Sequence, residues 1–180
     1  MPKGAALHLH SGSSGSTDWI VDEGIDVEGC YIYMGVENKD RCLSPFGVEI
    51  DCSPGASYFA EGMIAFYDKN VTESIPEGFL PTNVLIEQFG STNLRARLRS
   101  LITSNKSLKD MDSSLAWDYF DKIFLRIGIA MNYKPFYKDY LMNCFLVHAK
   151  DNVQHIEIRA LIGTNGLGDQ YDFSGRVYSG

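Results

Sequence analysis

Long apolar runs are absent from this 180-residue sequence, and no stretch approaches the roughly 18 to 20 hydrophobic residues that cross a bilayer. Concentrated positive charge is missing too. Lys and Arg number 16 against 23 Asp and Glu, the net charge is −7, and no basic cluster offers a surface for nucleic-acid phosphates. Cysteine is scarce, at four residues, and never takes the C-x-x-C spacing of a structural zinc cluster. The opening MPKGAALHLH holds one lysine and no apolar stretch of signal-peptide length. The end, GDQYDFSGRVYSG, is glycine-rich and closes with neither a helical nor a strand pattern, so both ends read as cut from a longer chain. What remains is ordinary for one globular domain with a substantial core: 44% hydrophobic and 22% charged residues, with 10 Tyr, 10 Phe and 2 Trp.

Periodicity divides the chain into three stretches, 1–22, 23–56 and 57–180. Ala5 to His10 alternates as a short strand, with Leu7 and Leu9 against His8 and His10. A flexible SGSSGS turn follows, and Ser16 or Thr17 suits the cap of a short helix beginning near Asp18. Residues 23–56 show short β-like runs, two prolines, several glycines and Cys30, Cys42 and Cys52, the pattern of a small strand-rich insertion. Its cysteines allow one disulfide with a thiol left over, or three reduced thiols, whereas Cys144 sits alone in a helical pattern. Asn70-Val71-Thr72 and Asn105-Lys106-Ser107 are glycosylation acceptor triplets. Tyr58 to Tyr67 reads as a short helix, Ile75 to Pro81 as a connector, and Leu94 to Thr103 as an Arg-rich helix. Trp117, Phe120, Phe124 and Ile127 predict an apolar helix face between Ser113 and Met131. Pro135 suits the first turn of the next helix, which carries Phe136, Tyr140, Cys144 and Val147 at the same spacing. A β-rich run from Val153 to about Ile162 closes the order strand, insertion, helices, strand. That order predicts a parallel β/α architecture with an elaborate first crossover.

The clearest chemistry is the His8-x-His10 pair. Residues i and i+2 of a strand project to one side, so the two imidazoles can converge on one ion. A catalytic zinc needs at least three protein ligands together with an open position, and two histidines are too few by themselves. His155, Glu157 and Arg159 also share a strand face, where Glu157 and Arg159 read as a structural, buried pair.

MPKGAALHLH, with Asp18-Trp19 close behind, resembles the opening barrel strand of the adenosine deaminase-related growth factors. The likeness continues in order through Asn70-Val71-Thr72, the helix bearing Trp117, NYKPFYKDYL and DNVQHIEIRA. The resemblance implies the N-terminal part of a (β/α)₈ TIM-type barrel with a small disulfide-bearing insertion after its first strand. It implies one Zn²⁺ at the barrel's C-terminal mouth and conversion of adenosine to inosine and ammonia, in a secreted protein, commonly homodimeric, with growth-factor activity in some members. On that basis His8 and His10 would be zinc ligands and Trp117 would line the nucleoside pocket. Residues 23–56 would bind a cell-surface receptor or glycan, with Cys30 and Cys52 as the disulfide and Cys42 and Cys144 unpaired.

Two departures qualify what the resemblance implies. Many relatives carry an acidic, ribose-contacting residue directly after the second histidine, and here that position is Ser11, a shorter, neutral hydrogen-bonding group. The family's further zinc-ligand histidine, its His-Ala-Gly-Glu glutamate, another histidine and a late aspartate pair do not occur in these 180 residues. The expectation is therefore a fragment of a deaminase that is inactive in isolation. The alternative is a secreted, non-catalytic binding protein acting through residues 23–56.

Overall fold

The computed structural model describes residues 2–35, 59–67, 75–103, 112–159, 170–171 and 177–178. Cys42, Cys52, Asn70, Asn105 and most of the 23–56 stretch lie outside the described residues, so their expected roles are not addressed by it.

Strand β1 (Lys3–His10) runs parallel to β5 (Val153–Arg159), as the chain order predicts. Between them come α1 (Thr17–Asp22), β2 (Cys30–Tyr33), β3 (Ile64–Phe66), β4 (Phe79–Pro81), α2 (Thr82–Phe89), α3 (Ser91–Ile102), α4 (Ser113–Gly128) and α5 (Lys134–Lys150). A short antiparallel pair follows, β6 (Gln170–Tyr171) with β7 (Val177–Tyr178). The described residues thus combine a two-stranded parallel sheet with antiparallel sheets and five α-helices.

The segment expected to be helical between Tyr58 and Tyr67 instead supplies strand β3. Gly62 holds a positive φ of 82°, which an α-helix cannot accommodate, and Ile64 and Phe66 then pair with Ile32 and Cys30. Strand β2 is the centre of a β3-β2-β4 antiparallel sheet, and its two faces serve two cores. Cys30 and Ile32 join Ile64 and Phe66 under the helices, whereas Tyr33 packs with Met63, Ala65 and Phe79 on the other side.

Helix α1 lies between α3 and α5. Ser16 caps it by accepting from the Trp19 N–H at 3.3 Å. On one side two arginines of α3 reach back to its acidic residues and neighbours. Arg99 meets Asp18 and Asp22 at 2.8 Å each, and Arg95 grips both carboxylate oxygens of Asp26 at 2.8 Å. These pairs are largely exposed, so they orient more than they stabilise. On the other side the Trp19 ring packs against Phe136 (5.5 Å between centroids) and Tyr140 (6.1 Å) of α5. Arg126 of α4 is the buried exception among the arginines of the described residues. It donates to the carbonyls of Glu61 (2.8 Å) and Leu101 (2.9 Å), tying α4 to the antiparallel sheet and to α3.

The apolar stripe expected to bury α4 does so only at one end. Ile127 is buried, but Trp117, Phe120 and Phe124 are exposed. Helix α5 behaves similarly: Phe136, Tyr140 and Cys144 are buried, while Val147 joins Met142, Phe145 and Leu146 on an uncovered face.

Among the described residues Cys30 and Cys144 are buried and form no disulfide; Cys52, the expected partner of Cys30, lies outside them. Burial pushes the Cys30 thiol from its ordinary 9.0 up to about 12; nearby Asp26 adds to the rise and the Thr82 side chain works against it. Burial likewise pushes the Tyr140 phenol from 10.0 to about 12. The folded state therefore keeps both protons at pH values where the unfolded chain has lost them, so stability must fall as pH rises. Under reducing conditions, the urea midpoint is expected to hold steady up to about pH 9, decline as Cys30 counts, and decline faster above pH 10 as Tyr140 joins. A midpoint that stays flat or rises between pH 9 and 11 contradicts this linkage.

Candidate metal-binding site

The face of the parallel sheet turned away from the helical core collects the polar side chains. Register partners in parallel strands point the same way. Ala6 and Leu9 share the side of Ile156 and Ile158, and of these Leu9, Ala6 and both isoleucines are at least half-buried. Ala5 pairs with His155 and His10 with Arg159 on the opposite side. Regular alternation would not place Ala6 and Leu9 together. A bulge does so, with three steps along β1 from Ala6 to Leu9 matched by two along β5. No signal in the sequence marks this irregularity.

On that open face His8 and His10 come together. Their Nε2 atoms stand 3.2 Å apart, with ring centroids separated by 5.1 Å and planes at 52°. Two nitrogens bound tetrahedrally to zinc at 2.0–2.1 Å lie about 3.3–3.4 Å from one another. The observed spacing therefore fits two cis ligands of one small divalent ion. Both rings are exposed at the C-terminal end of β1, open to further ligands. Among the described residues no group of three or more His, Cys, Asp or Glu is placed to hold a metal, so this pair is a partial site.

The loop that follows is clamped by α5. The hydroxyls of Ser13 and Ser14 donate to the His10 carbonyl. The Gly15 N–H donates to the Tyr140 hydroxyl at 2.8 Å, and the Ser16 N–H to the Asn143 side-chain oxygen at 3.2 Å. Ser11 is buried beside Tyr137 of α5. Burial pushes the Tyr137 phenol up, and the nearby Ser11 side chain works against the rise. Ser11, the position expected to meet a ribose, lies buried where the loop meets α5. Trp117, expected beside a nucleoside, is 66% exposed on α4 and meets Phe120 edge-on at 5.6 Å.

His155, Glu157 and Arg159 do share a face, but they are not buried. Glu157 lies 3.6 Å from His155 and 3.3 Å from Arg159, with each of the three side chains more than 40% exposed. The second β-strand alone leaves this side of the sheet uncovered. Arg159 also reaches across to the Leu7 carbonyl at 3.3 Å, a cross-strand contact that residue spacing could not foretell. His148 remains on α5, with Nδ1 beside its own helix at the Cys144 carbonyl, 2.8 Å away. No helix of the described residues is long and apolar enough to cross a membrane.

No family model matches the chain. Individual proteins do, over nearly its whole length. Adenosine deaminase 2 of Dictyostelium discoideum is 30% identical over 185 residues, covering 99% of this chain and 28% of that protein. Adenosine deaminase 2-A of Danio rerio is 27% identical over 177 residues, covering 98% of this chain and 31% of the relative. Adenosine deaminase 2 of Homo sapiens is 27% identical over 160 residues, covering 89% and 28% respectively. The chain therefore spans less than a third of the length of these curated relatives. The paired MPKGAALHLH and DNVQHIEIR strands and this end-to-end similarity to adenosine deaminase 2 proteins support the adenosine deaminase-related growth factor family, with the chain as an N-terminal portion.

Proposed function

We propose that this chain supplies the opening strand and half of the metal site of a zinc-dependent deaminase that converts adenosine and water to inosine and ammonia. The observation that carries the reading is the 3.2 Å approach of the His8 and His10 Nε2 atoms at the C-terminal end of a parallel strand. Catalytic groups of β/α barrels gather at that end of the strands. The names of the relatives support the substrate class, a purine nucleoside.

Zinc held there supplies Lewis-acid activation of water for attack on the purine. The chain's own residues hold and orient. His8 and His10 present imidazole nitrogens from one strand. The clamp formed by Tyr140 and Asn143 holds the loop after His10. We further propose secretion of the complete protein as a homodimer, with residues 23–56 as a surface for a receptor or glycan.

The test is direct. The complete protein, incubated with adenosine, is expected to show the absorbance change of inosine formation, lost on chelation and regained with zinc. Turnover that survives exhaustive chelation, or no turnover in zinc-replete protein, rejects the reading.

A further inference from the structure

We infer that Arg159, held by Glu157, is a positioning residue for the histidine pair, an inference that rests on the metal reading above. The bulge between Ala6 and Leu9 interrupts the β1–β5 register where His8 lies. A bulge leaves backbone groups without ladder partners, and an unpaired carbonyl beside a site costs order as well as energy. Arg159 answers this defect. Its Nη2 donates to the carbonyl of Leu7, the residue directly before His8, at 3.3 Å. The same nitrogen lies 3.3 Å from Glu157 Oε2. Arg159 is also the register partner of His10, so its side chain leaves β5 on the face from which both imidazoles project. One guanidinium therefore links the second strand to the peptide unit entering His8, and the Glu157 carboxylate sets its direction. Loss of this tether frees the bulge to shift, and a one-residue slip would carry His8 to the core face.

Groups that orient metal ligands without touching the metal characteristically change affinity by 10- to 100-fold when removed. The experiment uses the complete protein and two readouts besides turnover: the rate of zinc loss to a chelator and the visible spectrum of the cobalt(II)-substituted form. Arg159→Met is expected to release zinc about 10- to 100-fold faster and to shift or weaken the cobalt bands. Arg159→Lys, which retains a donor, is expected to recover part of both. Glu157→Gln, which keeps Arg159 and the local volume, is expected to show a smaller change in the same direction. Unchanged zinc release and cobalt bands in Arg159→Met overturn the inference; should that variant not fold, unchanged values in Glu157→Gln overturn it instead. His8→Ala run in parallel separates the two ideas. Zinc retained there defeats the metal reading itself, whereas zinc lost there but kept in Arg159→Met defeats only the positioning role.

Discussion

Alanine in place of His8 or of His10 in the complete protein is expected to remove the bound zinc and, with it, about a thousandfold or more of adenosine turnover. That factor corresponds to roughly 4 kcal/mol of barrier, the scale on which a metal ion stabilises developing charge. The two imidazoles approach to 3.2 Å because each leaves the same strand face two residues apart. Removing one leaves a single nitrogen from this strand, too few to anchor an ion in competition with water. Metal content by elemental analysis should fall from one zinc per chain to a small fraction, in proportion to activity. Zinc content that stays near one in both variants would mean that the pair is a hydrogen-bonded couple and that the metal is held elsewhere.

Gly15→Ala is expected to destabilise the fold by about 3 kcal/mol, towards the upper end of what overpacking costs. A Cβ at this position would lie 2.4, 2.7 and 3.0 Å from three carbons of the Tyr140 ring. The ring has nowhere to retreat: it is 1% exposed and flanked by Trp19 and Phe136. Any displacement also breaks the hydrogen bond from the Gly15 N–H to the Tyr140 hydroxyl. The backbone must therefore move, and this backbone lies five residues beyond His10. Urea denaturation of the wild type, Gly15→Ala, Tyr140→Leu and the double variant forms a cycle. Removal of the ring should relieve most of the glycine penalty. An equal loss in both backgrounds would show that the clash is not the cause.

Much of this arrangement is legible in the residues, for physical reasons that differ from place to place. The strand Ala5 to His10 and the partner starting at Val153 are readable because alternation and β-branched content survive without knowledge of neighbours. The helix cap at Ser16 and the proline in the first turn of α5 are local chemistry, and both stand where expected. Strand β3 was not legible. Ile64, Ala65 and Phe66 are apolar at every position, so periodicity could not separate strand from helix, and the decision came from pairing with Cys30 and Ile32. The stripe Trp117, Phe120 and Phe124 shows the opposite failure, in which a correct helical period says nothing about what covers the face. At the site itself, the histidine pair was visible as a motif, whereas the bulge and the Arg159 tether were not. Both depend on a register between residues about 150 positions apart.

That separation governs the order of assembly during synthesis. The Leu7 carbonyl meets its guanidinium partner across 152 positions of sequence, so the first strand stays unpaired through most of translation of this segment. Packing α1 against α3 joins residues only 77 and 81 positions apart and can come first. The imidazoles can be locked in place only once Arg159 has left the ribosome. On the proposed metal reading, metal uptake would then be a late event that reports completed topology rather than a nucleus that guides it.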